Sequence, residues 1–167
     1  MAAKKVNGKQ KGNTFERKCA NLLSERFKDI TGIEKSFRRS VDSGSFFGGS
    51  NAQRMNTYDT ATANFGDLVC PSNFKYTIEC KHYKSAPTFQ SIVNQNVKQW
   101  DEWMGQASQD SKNANKLPML IIKYNNVPEM VFIDHPIEGM QEFLKYKEFY
   151  AYSLDTIIKL DDKVFFG

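Results

Sequence analysis

A stripe of apolar residues at helical spacing stands between two strand-like runs, and that order limits the folds open to this chain. Ile92, Val93, Val97, Trp100, Trp103, Met104 and Ala107 mark one face of a long helix from Thr88 to about Asn113. Tyr76-Thr-Ile-Glu-Cys-Lys-His82 precedes it, and Leu117-Pro-Met-Leu-Ile-Ile-Lys-Tyr124 follows as a buried strand. Upstream, Phe15, Cys19, Leu22, Leu23 and Phe27 define another helix. Asn13 and Glu16 fit the N-cap and third position of a capping box at its start, and Gly32 fits its end. Short strands are expected at about Lys35 to Val41, Gly66 to Cys70 and Glu129 to Asp134. A helix is expected from about Pro136 to Tyr146, and a short strand with a helical turn from Phe149 to Gly167. The order is helix, three strands, helix, two strands, helix. It predicts an α/β fold with a central mixed β-sheet flanked by helices.

The 167 residues suit one domain, and 40% hydrophobic with 13% aromatic content is enough for a core, which excludes wholesale disorder. Residues 1–12 read as a basic flexible segment ahead of a single domain over 13–167. No apolar run approaches the ~18 residues needed to span a bilayer. The start, MAAKKVNGKQKG, lacks the apolar middle of a signal peptide. Cys19, Cys70 and Cys80 form no C-x-x-C pair, so neither a disulfide framework nor a zinc cage is expected. The expected location is the cytoplasm, without a membrane partner.

Charge is unevenly spread. Residues 1–40 hold 11 Lys or Arg against 4 acids, whereas residues 41–167 hold 12 against 15. A basic first quarter on a mildly acidic body points to a polyanion partner, most simply nucleic acid. A solubilising tail is the alternative for Lys4, Lys5, Lys9 and Lys11. Arg17, Lys18, Arg38 and Arg39 lie in ordered-looking segments and suit backbone phosphates better. Residues 42–65 are rich in Gly, Ser, Asn and Thr, long for a structureless loop in a compact domain. Phe46 and Phe47 within it read as a loop anchor or as a wedge for nucleic acid.

Side chains alternate along a strand, so Glu79 and Lys81 share one face, and Ile78 and Cys80 the other. With a hairpin link at Pro71 to Lys75, Asp67 falls across the ladder from Glu79. Two carboxylates and one ammonium then converge. Mg²⁺ wants such oxygen donors, with waters retained, and the Cys80 main-chain carbonyl can add another. A metal there lowers the pKa of a bound water and offsets phosphate charge, while Lys81 orients the water or stabilises developing negative charge.

Gly66-Asp67 followed by Ile78-Glu79-Cys80-Lys81 resembles the signature of the PD-(D/E)XK nuclease superfamily. Glu16 sits on the preceding helix, where many members carry a glutamate. Arg39-Ser-Val-Asp-Ser-Gly44 resembles the basic, Ser/Gly-containing segment of archaeal-type Holliday junction resolvases. Gln106, in a helix bearing Trp100 and Trp103 and followed by Pro118 to Lys123, resembles the later helix–strand element of that branch. The resemblance covers roughly residues 12–125. It implies a restriction-endonuclease-like fold with an αβββαβ core and Mg²⁺-dependent phosphodiester hydrolysis, with Mn²⁺ as a substitute. It implies Asp67 and Glu79 as metal ligands, Lys81 as the catalytic lysine and Glu16 as a further metal contact. Gln106 would position Lys81 or the water. Ser43, Arg38, Arg39, Arg17, Lys18 and Lys84 are the candidate DNA contacts. Gly66 stands where the signature has proline.

The favoured reading is a structure-selective, resolvase-like DNA endonuclease, a homodimer because paired cuts need two sites. A small lysine-rich nuclease of this kind suits a phage, which would place it in the host cytoplasm. Linear, flapped or damaged duplex is the alternative substrate, and a non-catalytic nucleic-acid-binding protein the alternative class. RNA stays open. Glu16 has a competing role in the capping box. Asp59 is a weaker rival to Asp67, lying in a stretch without strand character. His82 is expected to point to the Cys80 face, and Trp100 and Trp103 to pack in the core.

Overall fold

The computed structural model describes residues 8–40 and 65–167. Helix α1 runs Gly8–Arg26 and buries Phe15, Cys19, Ala20, Leu23 and Ser24. It starts five residues before the expected cap at Asn13. Asn13 and Glu16 therefore sit inside the helix, and the i, i+3 spacing that suits a capping box also places them on one face. A short helix α2, Lys28–Thr31, closes at Gly32, whose φ of 63° is the left-handed conformation of a helix end.

Strand β1 (Arg38–Arg39) pairs antiparallel with β2 (Leu68–Val69). Strand β3 (Tyr76–Tyr83) pairs in parallel with β4 (Leu117–Tyr124), placing Glu79 beside Leu120 and Lys81 beside Ile122. Antiparallel β5 (Met130–Ile133), β7 (Phe149–Ser153) and β6 (Leu144–Tyr146) complete a five-stranded sheet in the order β3-β4-β5-β7-β6. The mixed sheet flanked by helices follows the expected order. The expected β2–β3 hairpin ladder does not form. β2 turns to β1, and Gly66-Asp67 meets the outer side of β3 through an Asp67 N–H bond to the Ile78 carbonyl at 2.8 Å.

Two helical expectations are corrected. The stripe over 88–113 is broken into α3 (Phe89–Val93) and α4 (Lys98–Ala114). The Thr88 side chain caps α3 by accepting from the Ser91 N–H. Gln95 takes a φ of 53°, its side-chain oxygen accepts from the Lys147 N–H, and the Val97 N–H donates to the Tyr146 hydroxyl. Bonds between side chain and main chain thus tie this break to the end of β6 and the turn after it. The helix expected over 136–146 is instead an irregular segment leading into β6. Pro136 and Gly139 (φ 76°) break the helical path, and Tyr146 is buried with its hydroxyl bonded to Asp101. The chain ends in a helical turn α5 (Leu154–Ile157) and a single 3₁₀ turn. Among the described residues, no helix is long and apolar enough to cross a membrane.

β4 separates two cores. Met119 and Ile121 face α1, whereas Leu120, Ile122 and Tyr124 face α4 with buried Trp100, Trp103 and Met104. Burial on both faces explains the near-continuous apolar run of β4. On the α1 side Phe27 is fully buried, its ring within 4.9–6.0 Å of those of Phe37, Phe74, Phe165 and Phe166. This cluster ties the junction of α1 and α2, the approach to β3 and the last turn together. Phe27→Ala is expected to lower unfolding free energy by about 3–5 kcal/mol, read from urea denaturation. A loss below about 1 kcal/mol would show that the cluster does not hold the C-terminal turn in place.

Candidate active site

The site is built on the edge strand β3. Strand alternation turns Thr77, Glu79 and Lys81 toward the α4 face and sends Tyr76, Ile78 and Cys80 into the α1 core. The open side of β3 is met by Gly66. With φ of 79°, and with the Ile78 carbonyl oxygen 2.7 Å from where a Cβ would stand, this position admits glycine alone. The approach lets Asp67 clasp β3 twice: its N–H donates to Ile78 O, and its Oδ2 accepts from the Cys80 N–H at 2.8 Å. Lys81 Nζ then lies 2.8 Å from Glu79 Oε2 and 3.5 Å from Asp67 Oδ2. Convergence of the three side chains, expected from a hairpin register, arises from this edge-on docking.

Glu79 is 1% exposed. Burial, reinforced by the Asp67 charge, pushes its carboxyl up to about 8 against the opposing pull of Lys81. Burial alone would lower Lys81, but the charges of Asp67 and Glu79 outweigh it and hold the ammonium protonated above its ordinary range. Two carboxylates thus share one cation, an arrangement that a further positive charge would complete. Among the described residues, no three His, Cys, Asp or Glu side chains gather around one point. The donors at hand are the two carboxylates and the Cys80 carbonyl between them. Such a hard, incomplete set fits a Mg²⁺-like ion that keeps several of its waters, and not a closed cage.

Asp67, Cys80 and Lys81 open into a hollow of about 450 Å³ that Glu16, His82 and Lys84 also line. The Glu16 carboxylate is held by Arg39 Nε at 2.5 Å, and Asn13 Oδ1 accepts from Arg39 Nη2 at 3.0 Å. Arg39 is thus tied to α1, and with Arg38 and Arg17 it lines a separate hollow. Lys18 turns elsewhere, 2.5 Å from Glu129 Oε1. Gln106 is exposed on α4, and no hydrogen bond joins it to Lys81 among the described residues. It lies one turn from Trp103, whose ring meets Tyr83, and one turn from Asp110, which accepts from the Gly66 N–H at 3.4 Å. His82 packs against Phe15, with Nε2 3.2 Å from the Asn125 Oδ1 that also accepts from Lys11. Burial and the Lys11 charge hold its imidazole below its ordinary value. Ser43, Phe46, Phe47 and Asp59 lie outside the described residues.

Sequence reasoning missed Thr77 and Asp110. Thr77 is 4% exposed, and its hydroxyl has no hydrogen-bond partner among the described residues. Strand alternation from Glu79 could have found it. Asp110, one turn beyond Gln106, steadies the Gly66 amide, which only the tertiary fold reveals.

The family model described as "Phage putative PDDEXK endonuclease" matches residues 7–165. The chain belongs to this family of phage endonucleases. The five-stranded mixed sheet flanked by helices is accordingly a restriction-endonuclease-like fold. No curated protein and no solved structure matches the chain.

Two stability measurements probe this geometry. Thr77→Val keeps the side-chain shape and removes an unpartnered buried hydroxyl, so unfolding free energy should rise by about 1 kcal/mol; a fall would mean that the hydroxyl is bonded. For Glu79, a carboxyl raised in the folded state binds its proton more tightly there than in the unfolded chain. Between the ordinary carboxylate range and about pH 8, the folded state holds the extra proton, and stability falls as pH rises. Metal-free wild type should therefore lose stability relative to Glu79→Gln from pH 5 to pH 8, with no further divergence above it. Urea midpoints in EDTA that track each other across this range would contradict the assignment.

Proposed function

We propose that this chain is a divalent-metal-dependent DNA endonuclease that hydrolyses phosphodiester bonds. The observation that carries the reading is the meeting of Asp67, Glu79 and Lys81 on the edge of β3, with the ammonium between two carboxylates. Asp67 and Glu79, with the Cys80 carbonyl, are the groups that would hold the ion. Bound there, Mg²⁺, or Mn²⁺ in its place, would supply Lewis acidity toward water and offset charge on a phosphate oxygen. Lys81 keeps its proton at neutral pH and is fixed at 2.8 Å from Glu79, so it can donate to the attacking water or to the phosphate as negative charge develops. Glu79 is held by burial against β4, and Asp67 by the Cys80 amide, so neither must reorganise before reaction. Glu16 lines the same hollow, but its bond to Arg39 favours a positioning role over direct ligation. Gln106, one turn before Asp110 on α4, would help orient water beside the site. Lys84 at the rim suits an incoming phosphate.

Branched DNA is the proposed substrate, resting on the likeness of residues 39–44 and of the Gln106 helix to junction resolvases. A homodimer would supply the second active site that paired cuts need. The test is cleavage of a labelled four-way junction and a matched linear duplex with Mg²⁺, Mn²⁺ or EDTA. Wild type should cut the junction by paired nicks with either metal and not in EDTA. Glu79→Ala and Lys81→Ala should each reduce the rate by at least about 100-fold. Equal cutting of linear duplex would keep the nuclease and discard the junction preference. Cutting that survives in Glu79→Ala or in EDTA would overturn the catalytic assignment.

A further inference from the structure

Helix α1 presents a second hollow, distinct from the one that holds Asp67 and Lys81. It encloses about 560 Å³ and is lined by Arg17, Lys35, Arg38 and Arg39, with Ala20 and Phe37 among its apolar lining. Among the described residues of its lining, Glu34 is the one acid. Half-buried Ile33 supplies apolar surface, and exposed Arg17 and Lys35 supply charge. An apolar lining under guanidinium and ammonium groups is the chemistry of a sugar–phosphate backbone contact.

The two hollows are joined through one ion pair. Glu16 lines the catalytic hollow and Arg39 the basic one, and they are bonded to each other. Gly8, Lys11, Gly12 and Glu16 border the first, whereas Arg17, Ala20 and Asn21 border the second. On a helical wheel these sets take opposite flanks of α1. Their midpoints are about eight residues apart along α1, roughly 11 Å of rise at 1.5 Å per residue.

Building on the nuclease reading, we propose that the Arg17–Lys35–Arg38 hollow is a second backbone-phosphate subsite for DNA. It takes a backbone phosphate other than the one at Asp67 and Glu79. The substrate crosses α1 over the Glu16–Arg39 pair. Arg39 acts as the strut between the two sites, since its guanidinium is engaged by Glu16 and Asn13. The basic first quarter thereby contributes through a specific hollow and not as a diffuse charge.

The test is the salt dependence of binding to labelled linear duplex, in a sodium chloride series, for the full chain. Arg17→Gln combined with Lys35→Gln should leave the thermal midpoint unchanged, because both side chains are exposed. The slope of log affinity against log salt should become shallower by about 1.8, at 0.9 per lost phosphate contact. Lys145→Gln combined with Lys159→Gln removes equal charge from β6, the far edge of the sheet, and from the turn after α5. This control should keep the wild-type slope. A slope for Arg17→Gln/Lys35→Gln equal to that of wild type would overturn the subsite. So would an equal change in both double variants, which would assign the effect to net charge. Glu79-dependent cutting in the same preparations would show that the nuclease reading survives such a failure. Wild type that neither binds nor cuts DNA would overturn both.

Discussion

The contact between Gly66 and the Ile78 carbonyl is the constraint from which the arrangement around the site follows. A Cβ at that position would stand 2.7 Å from the oxygen, so backbone meets backbone only because no side chain intervenes. Once docked, Asp67 spends its amide on Ile78 and its carboxylate on the Cys80 amide. The segment after it becomes β2, which pairs with β1 and sets Arg39 against Glu16 on α1. The same contact covers the exposed side of β3, which as an edge strand would otherwise offer unpaired backbone groups to another chain. One steric allowance therefore protects the sheet and aligns the acids, and it fixes how the basic helix meets the site.

The electrostatics of the site run against stability. Glu79 is withdrawn from water beside a second carboxylate, and a single ammonium offsets the pair. Folding tolerates this because Asp67 is also bonded to a backbone amide and because Glu79 is pushed toward its protonated form. A buried polar cluster short of one positive charge is costly as scaffold and useful as a receptor for a cation. The Thr77 hydroxyl, on the same strand face and without a partner among the described residues, is a further cost to stability on β3.

How far the sequence could be read depends on the range of the interactions involved. β3 and β4 are legible because their patterns are local: alternation marks Glu79 and Lys81, and double-sided burial marks the run from Met119 to Ile122. The apolar stripe of α4 is equally local. The break at Gln95 is not, since it follows from bonds to Tyr146 and Lys147 some fifty residues away. The residues around Tyr146 read as helix because a buried tyrosine bonded to Asp101 leaves no periodic trace. Asn13 and Glu16 illustrate a degeneracy. The same i, i+3 spacing serves a cap or a shared partner, and only the position of Arg39, set through β2, decides between them. Of the candidate site, the convergence of Asp67, Glu79 and Lys81 was legible from type and spacing, whereas Asp110 becomes visible only through its bond to Gly66.

Counting charges along the chain describes the first forty residues less well than the partners those charges have. Lys18 is paired with Glu129, Arg26 with Asp162 and two main-chain carbonyls, and Arg39 with Glu16. These cations fasten α1 to the rest of the molecule, and their field is largely neutralised where they sit. Arg17 is exposed beside one hollow, while Lys84 lines the other together with Lys81, which is paired with Asp67 and Glu79. The two hollows differ in character: one is mainly basic, whereas in the other Asp67 and Glu79 offset Lys81. Electrostatic steering depends on where positive potential is focused, so the basic hollow, and not net charge alone, would set the proposed path of DNA across α1.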